Sequence, residues 1–286
     1  MFRLGSRVFS DEDYAVMAIV NRTPDSFFDR GATFAEDAAL RAVDTAIAEG
    51  ADIIDIGGVK AGPGVTVDAD EERRRAIPTV AAVRERFPDV VISIDTWRAE
   101  VAREAVAAGA DLVNDTWAGA DPHLAEVAAQ TGAGLVCSHA GGLGPRTRPH
   151  RVAFDDPVAD VVATVTALAD RAVALGVRPD GILVDPAHDF GKNTRHSLAI
   201  TRDLAALTAT GWPVLVALSN KDFIGETLDL PVGDRLEGTL ATTAISAWLG
   251  ARVFRAHQVR PTRRVLDMVA TIRGERAPAV ARRGLA

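Results

Sequence analysis

Glu49-Gly50-Ala51-Asp52-Ile53-Ile54-Asp55 joins a glycine to a short β-branched apolar run that ends on a carboxylate. The pattern returns as Ala108-Gly109-Ala110-Asp111-Leu112-Val113-Asn114-Asp115. It returns again as Thr131-Gly132-Ala133-Gly134-Leu135-Val136-Cys137-Ser138-His139. Later copies start at Gly176, Gly211 and Gly250, and lead to Asp185, Ser219 and His257. Each glycine sits where an Ala-rich helix should stop, because the residue after a helix favours a left-handed backbone. Each apolar run is too short for a helix and is bounded by turn residues, so it reads as a strand buried on both faces of a parallel sheet. Runs 16–21 and 90–95 complete the set, and segments 35–49, 70–87, 195–210 and 262–273 read as helices. Asp121-Pro122 and Asp156-Pro157 each place a capping side chain before a proline suited to a first helical turn.

About eight β/α units in this length predict a single-domain (β/α)8 barrel, an α/β TIM barrel over residues 1–286 with a loose tail at 275–286. A doubly wound open sheet is the competing fold. It usually has fewer strands and a phosphate-binding glycine fingerprint after the first of them, whereas the first run here ends Asn21-Arg22-Thr23-Pro24.

The 286 residues are 48% hydrophobic and 25% charged, with a net charge of -7. No basic excess points to a nucleic acid or an anionic membrane. No apolar run approaches the roughly 18 residues of a membrane span, and no secretory signal is evident. One cysteine, Cys137, excludes an intrachain disulfide and reads as a core residue. Cytoplasm is the expected location.

In a barrel of this kind the C-terminal strand ends face the site. Those ends are Asn21, Asp55, Asp95, Asn114 with Asp115, His139, Asp185, Ser219 with Lys221, and Arg255 with His257. Turn chemistry accounts for Asp55 and Asp115, but not for Lys221, Arg255 or His257. Asp95, Asn114 and Asp185 suit a flat heterocycle rich in N–H donors. Lys221, Arg255 and His257 suit phosphate oxygens. Asn21 is a neutral oxygen ligand fit to sit beside a Mg2+ that bridges phosphates. The histidines lack the spacing of a zinc site.

These residues lie in strings that resemble the dihydropteroate synthase family. Asn21-Arg22-Thr23-Pro24-Asp25-Ser26-Phe27 resembles its N-x-T-P-D-S-F signature. The likeness continues through Ile54-Asp55-Ile56-Gly57-Gly58, Ile92-Ser93-Ile94-Asp95-Thr96, Val113-Asn114-Asp115, Asp185-Pro186, Phe190-Gly191-Lys192, Lys221-Asp222-Phe223-Ile224-Gly225 and Arg255-Ala256-His257. The resemblance implies a barrel that condenses 6-hydroxymethyl-7,8-dihydropterin diphosphate with p-aminobenzoate and releases diphosphate. It implies that Asp95, Asn114, Asp185 and Lys221 hold the pterin, and that Asn21, Arg255 and His257 bind diphosphate with Mg2+ at Asn21. Lys221, Arg255 and His257 would then be catalytic, and Phe190 would pack on p-aminobenzoate. A homodimer is also implied.

The chain departs from the family on the second-substrate side. Where the family usually reads G-x-E-S-T-R-P-G, this sequence reads Gly58-Val59-Lys60-Ala61-Gly62-Pro63-Gly64. Ala61 and Gly62 replace a Thr and an Arg, and Lys60 offers a cation from a different position. Asn220 stands for a basic residue. Asp222 brings a negative charge toward the incoming carboxylate, a repulsion of about 1–4 kcal/mol at contact. Phe28 replaces a small residue, and His188-Asp189 replaces an apolar-Gly pair. Two readings stay open: a synthase, or a paralogue that keeps the pterin and diphosphate site with little or no synthase activity. A pterin-dependent methyltransferase has no diphosphate to hold, so Lys221, Arg255 and His257 argue against it.

Overall fold

A computed structural model describes residues 1–24, 31–147 and 152–284. The Asp25–Phe27 part of the signature, Phe28 and residues 148–151 of a basic stretch lie outside the described residues. The chain opens with a hairpin, β1 (Phe2–Leu4) and β2 (Arg7–Phe9). Then come β3 (Ala15–Asn21), α1 (Glu36–Ala48), β4 (Ile53–Gly57), α2 (Ala69–Arg86), β5 (Val91–Asp95), α3 (Ala99–Ala107), β6 (Leu112–Asp115) and α4 (Leu124–Thr131). The second half runs β7 (Gly134–Ser138), α5 (Pro157–Ala174), β8 (Ile182–Asp185), α6 (Thr194–Arg202), α7 (Ala205–Thr208), β9 (Leu215–Ala217), α8 (Asp222–Leu228), α9 (Leu236–Trp248), β10 (Val253–Ala256) and α10 (Val259–Ile272).

Strands β3 to β10 pair in parallel in the order β8-β7-β6-β5-β4-β3-β10-β9. A parallel bridge from Val184 to Val214 brings β8 against β9 and closes the (β/α)8 barrel. The six glycines that end the repeats, Gly50, Gly109, Gly132, Gly176, Gly211 and Gly250, all have positive φ, from +75° to +117°. A residue with a Cβ would be strained there.

Alternation along the strands splits the core in two. Val16, Ile54, Ile92, Val113 and Phe254 point out to the helices. Met17, Ile53, Val91, Leu112, Leu183, Leu215 and Val253 point into the bore, where Phe2, Leu4 and Phe9 of the hairpin join them and close its N-terminal end. The Phe2 and Phe9 rings stack at 4.7 Å. Two residues further along, or four in β3, the inward positions turn polar: Met17 gives way to Asn21 by way of Ile19, Ile53 to Asp55, Val91 to Ser93 and Asp95, Leu112 to Asn114, Leu183 to Asp185, and Val253 to Arg255. The bore is therefore apolar at one end and hydrogen-bonding at the other.

Helix ends follow the side chains. Asp156 caps α5 by accepting from the N–H groups of Val158 and Ala159. Asp121 instead accepts from His123 and Ala99 and shapes the turn before α4. The segment 195–210 breaks into α6 and α7 between Arg202 and Ala205.

Candidate active site

Asp55 is the hub of the polar end. It is fully buried, and Ser93 Oγ donates to its Oδ1 at 2.6 Å. Asn114 Nδ2 approaches at 3.3 Å, and Arg255 Nε donates to its Oδ2 at 2.7 Å. The same guanidinium donates through its second terminal nitrogen to Asp95 Oδ2 at 2.8 Å, and Thr116 donates to Asp95 Oδ1. Turn chemistry does not explain Asp55: it organises a network that joins β4, β5, β6 and β10.

Burial pushes the Asp95 carboxyl up to about 7; Arg255 opposes that rise and Asp55 adds to it. The folded protein thus holds this proton to a higher pH than the unfolded chain, whose Asp titrates near 4. Stability from this group is complete below about pH 4 and is lost as pH rises through about 7. Asp115, pushed up to about 6 by burial, acts in the same direction. Asp95→Asn is expected to flatten that decline, since it removes the group that titrates. Urea titrations of both proteins from pH 4 to 8 check this, and parallel profiles would contradict it.

Asp185, on β8, accepts from the N–H of Ala187 at 2.7 Å. Burial raises its pKa, against the pull of Lys221, Lys192 and Arg255. Lys221 immediately precedes α8; its Nζ donates to the carbonyl of His188 at 2.5 Å and lies 4.3 Å from the centre of the Phe190 ring. Trp117 meets that ring edge-on at 5.2 Å. Asp95, Asn114, Asp185, Lys221 and Phe190 therefore line one end of one barrel.

Asn21 reaches the same place from β3. A Cβ built on Gly57 would lie 3.6 Å from both Asn21 Oδ1 and Asp95 Cβ, so the glycine keeps that corner open. His257 Nδ1 is 2.9 Å from Ser219 Oγ. Burial, helped by Arg255 and Lys221, drives its pKa down to about 3. The imidazole is neutral at physiological pH, so it offers hydrogen bonds rather than the cationic charge expected from its residue type.

Two strand ends turn away from the bore. Asp115 accepts from the N–H groups of Trp117 and Gly119 and so shapes its own loop. His139 is buried and pairs with Asp160 of α5 at 2.7 Å. Cys137 is also outward and buried, and burial raises its thiol to about 12.

Buried Lys192 fixes the loop that carries Phe190. Its Nζ donates to the carbonyls of His139, Ala187 and Phe190 at 2.8–3.1 Å. Ala187 and Asp189 in that loop have positive φ, a region in which a residue with a Cβ is strained. Asp189 offsets the strain by accepting from the Phe223 N–H and from Ser197 Oγ.

The second-substrate side is built differently. Loop 59–64 is fastened at its start: Arg75 donates to the Gly58 carbonyl, and a Cβ on Gly58 would lie 2.9 Å from Glu72 Cγ. Further along, Arg146 reaches from the segment after β7 and donates to the carbonyls of Gly62 at 3.2 Å and Val65 at 2.8 Å. Lys60 comes near Gly62, with its Cε 3.9 Å from where a Gly62 Cβ would be. Asp222 is not a bare charge: Arg235 donates to it at 2.8 Å. The paired guanidinium opposes the repulsion expected from the sequence.

Residues 17–257 match the pterin-binding enzyme family, and the chain belongs to it. More narrowly, it is a dihydropteroate synthase-like barrel. It is 60% identical over 275 residues to inactive dihydropteroate synthase 2 of Mycobacterium leprae, covering 95% of this chain and 94% of that one. It is 39% identical over 260 residues to dihydropteroate synthase of Bacillus subtilis, covering 90% and 88%. The crystal structure of Yersinia pestis dihydropteroate synthase with a sulfonamide drug superposes with a TM-score of 0.90 at 34% identity, covering 96% of this chain and 99% of that one.

Proposed function

We propose that the protein binds 6-hydroxymethyl-7,8-dihydropterin diphosphate in the polar end of the bore and turns over p-aminobenzoate poorly or not at all. The observation that carries this reading is the contrast between two halves of one site. Asp95, Asn114, Asp185 and Lys221 converge on the bore, while loop 59–64 offers neither a guanidinium nor a hydroxyl at 61 and 62. The name of the Mycobacterium leprae relative, inactive, favours the same side.

In this reading the three acceptors take the N–H edge of the pterin and Lys221 donates to it. Arg255, His257 and Asn21 take the diphosphate. Two of the Arg255 nitrogens already serve Asp55 and Asp95, so the guanidinium meets the anion with its remaining N–H groups and is held rigid while doing so. Charge that builds on a departing diphosphate is stabilised by donors fixed in advance. Asn21 fits Mg2+ as a single neutral oxygen ligand, because Mg2+ takes few protein ligands and completes its shell with phosphate oxygens and water; the ion would neutralise the diphosphate. Phe190, over which Lys221 Nζ sits, gives an arylamine a ring to pack on.

We place this barrel in the cytoplasm as one domain over its whole length. Its one thiol is buried, and no helix among the described residues is long and apolar enough to cross a membrane. Subcellular fractionation that recovers it elsewhere would overturn the location. A homodimer is supported by Ile245, Trp248, Met268 and Ile272, all about half exposed or more on the paired helices α9 and α10. Such a patch marks an interface. Trp248→Glu is expected to convert a dimer to a monomer in sedimentation analysis; a native monomer would refute the dimer.

The function is tested by calorimetry and turnover on one preparation. Pterin diphosphate should bind, and addition of p-aminobenzoate should yield little dihydropteroate.

A further inference from the structure

Arg235 donates through one terminal nitrogen to Asp222 Oδ1 at 2.8 Å and to the Asn220 carbonyl at 2.9 Å, and through Nε to the Leu230 carbonyl at 3.1 Å. Its guanidinium lies flat against α8, so close that a Cβ on Gly225 would come within 2.3 Å of its central carbon. The side chain is 12% exposed, whereas Asp222 is 66% exposed. A buried, rigid cation thus meets solvent at the point where the Asp222 carboxylate sits. Asp222 is also the neighbour of Lys221, whose ammonium covers Phe190.

We infer that Asp222 is an internal stand-in for a substrate carboxylate: it occupies the Arg235 guanidinium at the mouth of the second-substrate site and so sets that site against anionic arylamines. The inference rests on the reading that an amine approaches the pterin beside Phe190. A guanidinium fixed by two carbonyls and a glycine face loses little entropy when it binds a carboxylate. Any free carboxylate must first displace one that is covalently tethered, and the effective concentration of the tethered group wins. An uncharged amine has no need of Arg235 and meets no such competition. The acceptor class this mouth admits is therefore neutral.

The test compares p-aminobenzoate with p-aminobenzamide, which has nearly the same shape but no charge. Each is titrated calorimetrically into the full-length protein presaturated with pterin diphosphate. The native protein is expected to bind the acid no better than the amide. Asp222→Ser should tighten the acid by about tenfold or more, the scale of one charge-assisted hydrogen bond, and leave the amide within about twofold. Asp222→Ser combined with Arg235→Gln should abolish the gain. If that double variant does not fold, the acid–amide difference in the single variant decides alone. Equal effects on acid and amide, or no gain for the acid, would overturn the inference. Loss of pterin diphosphate binding in the native protein would instead overturn the reading on which it rests.

Discussion

Asp185→Ala is expected to weaken binding of the pterin diphosphate by at least about 100-fold. Asp185 is buried at the polar end of the bore, with one oxygen held by the Ala187 N–H and the other open to a ligand donor. The field of Lys221, Lys192 and Arg255 opposes the effect of burial on it. Its removal strips charge-assisted bonds of about 1.5–3 kcal/mol each and leaves the N–H groups of a desolvated heterocycle without partners. Two such bonds account for the 100-fold loss. Asp185→Asn keeps the shape and one acceptor and should lose less, on the order of tenfold. Calorimetry measures both. Unchanged affinity in Asp185→Ala would remove the pterin site from this end of the barrel.

The second large effect is a gain. Ala61→Thr and Gly62→Arg, combined with Asp222→Ser, are expected to raise kcat/KM for p-aminobenzoate by about 10²–10⁴. A bidentate guanidinium on a carboxylate contributes roughly 2–4 kcal/mol, and each 1.36 kcal/mol is tenfold in rate. The structure has room for the change: a Cβ at Gly62 meets only the Lys60 side chain, at 3.9 Å. Arg146 binds the Gly62 carbonyl, which the substitution leaves in place. Asp222→Ser contributes by releasing Arg235 rather than by lifting an unscreened repulsion, since the native charge is already paired. If steady-state kinetics of the triple variant match those of the native chain while pterin binds equally well, the lesion lies outside these positions.

The barrel was legible because its signal is periodic. Glycine, apolar run and polar end recur, and the physics of helix termination and buried strands turns that recurrence into β/α units. The β1–β2 hairpin is not legible in the sequence because its strands are three residues long and carry no period. The site was legible in its residue types and not in its wiring. Asp55 read as a turn residue, yet its partner Arg255 is 200 residues away in sequence. Arg146 lies 84 residues from Gly62, so nothing local announces that it holds the loop. Asp222 reads as repulsive because Arg235 comes 13 residues later, past the helix that Asp222 begins. His257 read as a cation because depth cannot be seen in a sequence, and depth is what makes it neutral.

The central claim is that the pterin half of the site works and the p-aminobenzoate half does not. The most direct measurement is product formation by the native protein with pterin diphosphate, p-aminobenzoate and Mg2+, beside calorimetry on the same sample. Intact pterin diphosphate binding with dihydropteroate formed about 10²–10⁴-fold below the rate of an active synthase assayed in parallel is the predicted result. Dihydropteroate made at the rate of that active synthase would contradict the account.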